Sequence, residues 1–225
     1  MASPPRQLAL ALDHAEKLSR EDFLPGPPND AALAMIERWP DWPARTIAIA
    51  GPEGSGKSHL AAIWAQMSGA RVVSARALQT ATLPEAVATG ALVLENCEEG
   101  ALDERALFHL LNLVREQEGH LLMTGRSVPA LWDAALPDLA SRLRAVPAIA
   151  MAMPDDALLR AVMVKLFADR QLAVDESLVA YLLTRVGRSF AAIQAAVQTL
   201  DREALQRKRP VNRALASELF RDWSP

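Results

Sequence analysis

The chain has 225 residues, half of them hydrophobic, a formal net charge of −3 and one cysteine, Cys97. That length holds one domain, or a core with a smaller second domain. The acidic balance argues against DNA phosphates as the main ligand, and a single cysteine allows neither an internal disulfide nor a Cys-rich metal site. No apolar run approaches the ~18–20 residues of a membrane span. The apolar stretch at 8–12 is too short for a secretory signal and meets charge at Asp13. The expected location is the cytoplasm.

In chain order, residues 1–30 read as tail and linker, kept out of long helices by Pro4, Pro5, Pro25, Pro27 and Pro28, with room for a short helix near 12–20. Within them Gln7 leads Leu8, Leu10 and Leu12, which alternate with small residues. "AALAMIER" predicts a helix over 31–38, stopped by "WPDWP". Five short apolar runs follow as strand candidates: 46–50, 71–74, 91–95, 120–124 and 146–151. Helical patterns lie between them near 57–67, 104–117 and 129–135. Short strands without a polar face, alternating with helices, predict an α/β core: a buried parallel five-stranded sheet with helices on both faces. After Met153 only helical patterns remain, near 156–170, 176–186, 189–207 and 212–221, with Asp155, Asp175, Ser189 and Asn212 as N-caps. This predicts a second, all-α domain.

"GPEGSGKSHL" (51–60) fits G-x-x-x-x-G-K-S/T and stands between a predicted strand and a predicted helix. The residue types match phosphate chemistry. Gly51, Gly54 and Gly56, with Ser55 between them, let the backbone curl so that its N–H groups face a β-phosphate. Lys57 adds charge at the β/γ oxygens, and Ser58 offers a hydroxyl to Mg²⁺. His59, just past the loop, reads as helix packing beside the nucleotide. The expected ligand is ADP or ATP with Mg²⁺. "ALVLEN" ends a buried strand in Glu95, placed to hold the metal's water shell, although a strand-end carboxylate at solvent fits as well. Asn96 follows, and an amide cannot take a proton from water near neutral pH. Thr124, at the end of the fourth strand, either touches the γ-phosphate or simply ends the strand. The four histidines show no metal spacing, and "QRKRP" (206–210) reads as a solvated helix end.

Taken with the phosphate loop, "LVLEN" and the helical tail, the stretch "LLMTGRSVPALWDAALPDLASRLRAV" (121–146) resembles the AAA+ ATPases. More closely it is similar to the Hda family, the regulatory inactivators of the replication initiator DnaA. The resemblance runs over nearly the whole chain and is most specific in "PDLASRL" and "QLALAL". It implies an AAA+ sheet order and three regions: a clamp-binding tail at 1–22, a nucleotide-binding core at 23–153 and a helical lid at 154–225. It makes Arg142, in "SRL", an arginine finger acting on a neighbouring protomer's nucleotide, with Arg144 the weaker candidate. The physics suits the role, since a guanidinium at a γ-phosphate stabilises the spreading charge of the transition state. "FLPGPPNDAA" (23–32) resembles the adenine side of DnaA-like sites, where Phe23, Gly26 and Asn29 match. Two features depart from the family. Ala191 stands where relatives place a nucleotide-contacting arginine, leaving Arg188 one turn earlier as a substitute. "RAVP" also replaces the usual "WG" after the finger.

The resemblance also implies partners: DnaA, and the sliding clamp, the beta subunit of DNA polymerase III, gripped by Gln7, Leu8, Leu10 and Leu12. Burying a leucine is worth ~1.5–3 kcal/mol, so such a tail makes a weak contact that a multivalent ring can reinforce. The same leucines could instead pack on the protein's own core. The implied function is regulatory inactivation of DnaA by stimulating hydrolysis of DnaA-bound ATP, with a homo-oligomer possible. No sequence-specific DNA binding is expected, because the chain ends at Pro225 without the initiator's helix-turn-helix, and no membrane contact is expected, for want of a long apolar run. The alternatives are a self-sufficient AAA+ ATPase, such as a helicase loader or remodelling motor, and an adaptor whose phosphate loop is only structural.

Overall fold

The computed structural model describes residues 18–97 and 102–221. Gln7, Leu8, Leu10, Leu12 and the start of the helix expected near 12–20 lie outside the described residues. The chain divides into two compact units, one spanning Leu18–Asp155 and one containing Asp156 onward.

In the first unit the apolar runs form β1 (Thr46–Ala50), β2 (Arg71–Ser74), β3 (Ala91–Glu95), β4 (His120–Gly125) and β5 (Ala148–Ala150). All pair in parallel, in the order β2-β3-β4-β1-β5. Successive side chains of a strand point to opposite faces, and each face has its own core. Ile47, Ile49, Val93 and Leu122 pack with α1 (Asp30–Glu37) and α2 (Lys57–Ser68). Ala48, Leu92, Leu94, Leu121 and Met123 pack with α4 (Glu104–Glu116) and α5 (Pro137–Arg144). The short α3 (Leu83–Ala86) adds Leu83 and Ala86 to this second core. The central strands β1, β3 and β4 are buried almost throughout, which is why they read as continuous apolar runs. At the edges, β2 and β5 are largely exposed.

Helix boundaries have local causes. Asp103 caps α4, its carboxylate accepting from the amides of Arg105 and Ala106. Ala106, Leu107, Leu110, Leu111 and Val114 then line the buried stripe of α4. Where the sequence predicts a helix over 129–135, the structure has only a 3₁₀ turn, Pro129–Leu131, and the α-helix starts at Pro137. Proline disfavours helical geometry in the residue before it and suits a first helical position; Leu136 is accordingly extended. Likewise β5 is shorter than the apolar run 146–151. Pro147 has no N–H to give the ladder, but its carbonyl accepts from Ala48 N at 2.9 Å.

Residues 18–22, placed by sequence at the end of the tail, belong to the first unit. The Leu18 carbonyl accepts from Gln66 Nε2 at 3.2 Å, and Arg20 pairs with Glu37. The second unit consists, among its described residues, of helices and connecting segments: α6 (Asp156–Asp169), α7 (Glu176–Arg185), α8 (Phe190–Arg207) and α9 (Arg213–Leu219). Asp175, Ser189 and Asn212 cap α7, α8 and α9 through their side chains, as the sequence predicts. Phe167, Leu182, Ile193, Leu200 and Phe220 lie in a hydrophobic core formed within this unit.

Candidate functional site

In a parallel sheet every strand ends at the same edge, so the loops after β1, β3 and β4 meet there. The order β3-β4-β1 brings the phosphate loop, Glu95-Asn96 and Thr124 to one stretch of that edge. The loop leaves β1 through Gly51, whose N–H donates to the Gly125 carbonyl at 3.0 Å. A Cβ on Gly51 would lie 2.7 Å from the Met151 carbonyl oxygen, so only glycine fits. Gly54 and Gly56 have φ of 78° and 97°, the left-handed region that glycine enters without penalty. Gly56 then caps α2 and turns the first-turn amides, which lack partners within the helix, toward the loop.

Lys57 is drawn over this loop, its ammonium donating to the carbonyls of Gly51 (2.8 Å) and Pro52 (2.7 Å). Ser55 is buried, and among the described residues its hydroxyl has no hydrogen-bond partner. Ser58, next to Lys57 in the first turn of α2, is exposed. At the end of β3 one carboxylate oxygen of Glu95 is buried and likewise without a partner among the described residues. An unsatisfied buried oxygen costs free energy unless a ligand supplies the missing bond. One hydroxyl and one carboxylate are donors that Mg²⁺ accepts, since it keeps most of its waters and its phosphate ligands. No group of three or more His, Cys, Asp or Glu side chains among the described residues could hold a metal without such help.

Thr124 is buried, and its hydroxyl accepts from Asn96 N at 3.3 Å. That bond, with Cys97 N donating to the Thr124 carbonyl at 2.8 Å, holds Asn96 in a left-handed turn with φ 59° and its amide side chain exposed. Cys97 is fully buried; burial, with the Glu95 charge adding to it, pushes its thiol up to about 12 despite the bond at Thr124.

His59 lies against the segment that precedes α1. Its Nε2 bonds the Ser19 carbonyl at 2.9 Å, and its ring meets Phe23 edge-on at 5.1 Å. Asn29 is buried and braces the proline-rich approach, accepting from Gly26 N and donating to the Leu24 carbonyl. Arg142 lies in the last turn of α5 with its guanidinium 5.1 Å from the centre of the Phe108 ring. Glu104 anchors the segment before α5, accepting from the amides of Ala135 and Leu136 at 2.9 Å each. In the helical unit Arg188 pairs with Asp156 at 2.6 Å, and Ala191 occupies the first turn of α8. Sequence reasoning missed Glu104, Phe108 and an exposed ion pair that joins Glu53 of the phosphate loop to Arg126, just past β4, at 3.3 Å. The signal for Arg126 was its place one residue past a strand, which becomes informative only once β4 is known to flank β1.

A glycine-cradled phosphate loop between a central parallel strand and a helix, with an acid and a threonine ending the next strands, defines the P-loop nucleotide-binding class. No protein-family model matches the chain. Among solved structures it is similar to domain III of the replication initiation protein DnaA from Thermotoga maritima, with a TM-score of 0.74 and 17% identity over 92% of this chain and 97% of that one. AMPPCP-bound DnaA from Aquifex aeolicus follows, with a TM-score of 0.67 and 20% identity over 84% and 67%. The Thermotoga maritima RuvB Holliday junction branch migration motor gives a TM-score of 0.71 and 14% identity over 89% and 70%. The fold is therefore α/β of the AAA+ type, a parallel five-stranded core followed by a helical part.

Proposed function

We propose that the chain is a regulatory AAA+ protein of the Hda kind, with 1–22 as clamp-binding tail, 23–153 as nucleotide-binding core and 154–225 as helical lid domain. It binds ADP or ATP on Gly51–Ser58, with Mg²⁺ held through Ser58 and Glu95. The metal, when bound, neutralises phosphate charge; the chain's own residues position the nucleotide. The tail residues Gln7, Leu8, Leu10 and Leu12 dock on the DNA-loaded clamp. Arg142 is offered to ATP bound by DnaA, so hydrolysis is promoted in the partner and initiation is switched off.

The observation that carries this reading is the turn after β3. Asn96, exposed in that left-handed turn, stands where the family resemblance implies an acid in hydrolysing relatives, and an amide cannot activate water. The site is thus better suited to holding nucleotide than to consuming it. The contact of the Arg142 guanidinium with the Phe108 ring of α4, 5.1 Å from its centre, gives the proposed finger a defined resting place. The AAA+ fold it shares with DnaA domain III supports the wider reading.

The test is turnover of DnaA-bound ATP reconstituted with clamp and DNA. Wild-type protein accelerates it, and Arg142→Ala abolishes the acceleration while still binding nucleotide. Equal stimulation by Arg142→Ala would sink the mechanism. Robust ATP turnover by the purified protein alone, lost in Lys57→Ala, would instead favour a self-sufficient motor.

A further inference from the structure

The helical unit differs in charge from the chain as a whole. Residues 156–221 carry eleven arginines and lysines against seven aspartates and glutamates, whereas the whole chain has 24 against 27. Six of those seven acids stand in ion pairs within the unit. The seventh, Asp175, caps α7 and also accepts from the Ser177 hydroxyl. Arg185 and Arg213 are left with no ion pair among the described residues. Both are exposed, and both lie against one ring, their guanidinium carbons 5.7 and 5.8 Å from the centre of Tyr181. Arg185 ends α7 one turn after Tyr181, and Arg213 begins α9. The ring is half-buried and packs on the core of the unit, so it gives both cations a fixed seat. Two like charges side by side repel, and a ring face returns only about 0.5–1 kcal/mol to an exposed cation. An anion between them relieves the repulsion, and guanidinium forks suit phosphate oxygens. Lys208, five residues before Arg213, is exposed and likewise without an ion pair among the described residues, so the positive charge continues past a single small anion. A line of unpaired cations suits a polyanion with repeating charge.

We propose that Tyr181, Arg185 and Arg213 form a clamp for the phosphodiester backbone of DNA, gripped without regard to sequence. The arginines bind phosphate oxygens, and Tyr181 is a positioning residue that seats them. Phosphate contacts fix a protein on DNA but carry no base information, so the contact is general and salt-sensitive. The acidic balance of the whole chain keeps it weak. The inference stands apart from the nucleotide reading, since it uses no residue of the phosphate loop.

Fluorescence anisotropy of a labelled duplex of mixed sequence, and of one of its strands alone, tests this with the full chain across a salt series. Wild type is expected to bind with a Kd of about 1–100 μM near physiological salt and more tightly below it. The two DNA arms show which form of the backbone is gripped, and binding to either supports the clamp. The double variant Arg185→Ala/Arg213→Ala should weaken binding by about ten-fold or more and lower the slope of log K against log salt by about two. Tyr181→Leu keeps apolar bulk on the core but removes the ring face, and should weaken binding by about three-fold. Arg160→Ala removes a cation already paired with Glu176 and should leave the affinity unchanged. Thermal melts of each variant confirm that the fold is intact. Wild-type affinity in the double variant, or an equal loss in Arg160→Ala, would overturn the proposal. So would the absence of binding to either DNA at low salt, with or without capture of the protein by phosphatidylglycerol vesicles. Displacement of the DNA by Mg-ADP would put its phosphates in the phosphate loop and overturn the clamp as well.

Discussion

An alanine at position 51 would push its methyl group to within 2.7 Å of the Met151 carbonyl oxygen and 3.1 Å of Ser55 Oγ. The nearest obstacle is backbone at the end of β5, which cannot step aside without breaking the bond from Met151 N to the Ala50 carbonyl. Gly51→Ala should therefore cost about 1–3 kcal/mol, read as a lowered urea midpoint, besides distorting the loop. Cys97 offers a pH test at the same scale. Its folded pKa of about 12 lies above the unfolded value near 9.0, so the folded state keeps the proton longer. Its contribution is fully present below pH ~9 and is lost as pH rises through that window, with a slope of at most about 1.4 kcal/mol per pH unit. Cys97→Ala should flatten the alkaline decline in unfolding free energy relative to wild type; identical slopes would refute the assignment. For the same reason the native thiol should resist alkylation at pH 8 and react once the protein is unfolded.

At the scale of elements, α5 is held by neighbours more than by its own start. Its cap residue Leu136 has no side chain that can bond the first turn, and the amides of Ala135 and Leu136 go to Glu104 instead. Glu104 sits in the first turn of α4, where a carboxylate also suits the helix dipole. One side chain thus ties the helix of Arg142 to the helix of Phe108. Glu104→Ala is expected to destabilise the chain by about 1–2 kcal/mol and to raise hydrogen exchange at residues 135–144 above that elsewhere. Unchanged exchange there would mean that Leu139 and Leu143, buried against the sheet, hold α5 alone. The contrast with α7, α8 and α9 is instructive. Each of those begins at a side-chain cap read directly from Asp175, Ser189 or Asn212, because a cap and the amide it serves are only two or three residues apart.

For the whole molecule, the phosphate loop belongs to the unit Leu18–Asp155, and the helical unit contains a core of its own. Nucleotide should then raise the stability of the loop-bearing unit by mass action, about 2.7 kcal/mol at a ligand concentration 100 times Kd. The gain should be visible as a rise in the melting temperature on adding Mg-ADP and be absent in Lys57→Ala. A melt that ADP leaves unmoved at millimolar concentration would argue that the loop is structural only. What the sequence by itself determined was local. The strands 46–50, 71–74 and 91–95, the glycines of the loop, the lysine and serine after them, and three helix caps could be read because each depends on residues within a turn or two of one another. The tertiary structure alone decided the rest. It showed that Gly51 is pressed against β5, that Arg126 stands beside Glu53, that Glu104 caps a segment some thirty residues away, and that no helix forms over 132–135. A buried parallel strand carries no local mark of its neighbour; strand order is set by which faces pack together, and these contacts exist only once that order is made.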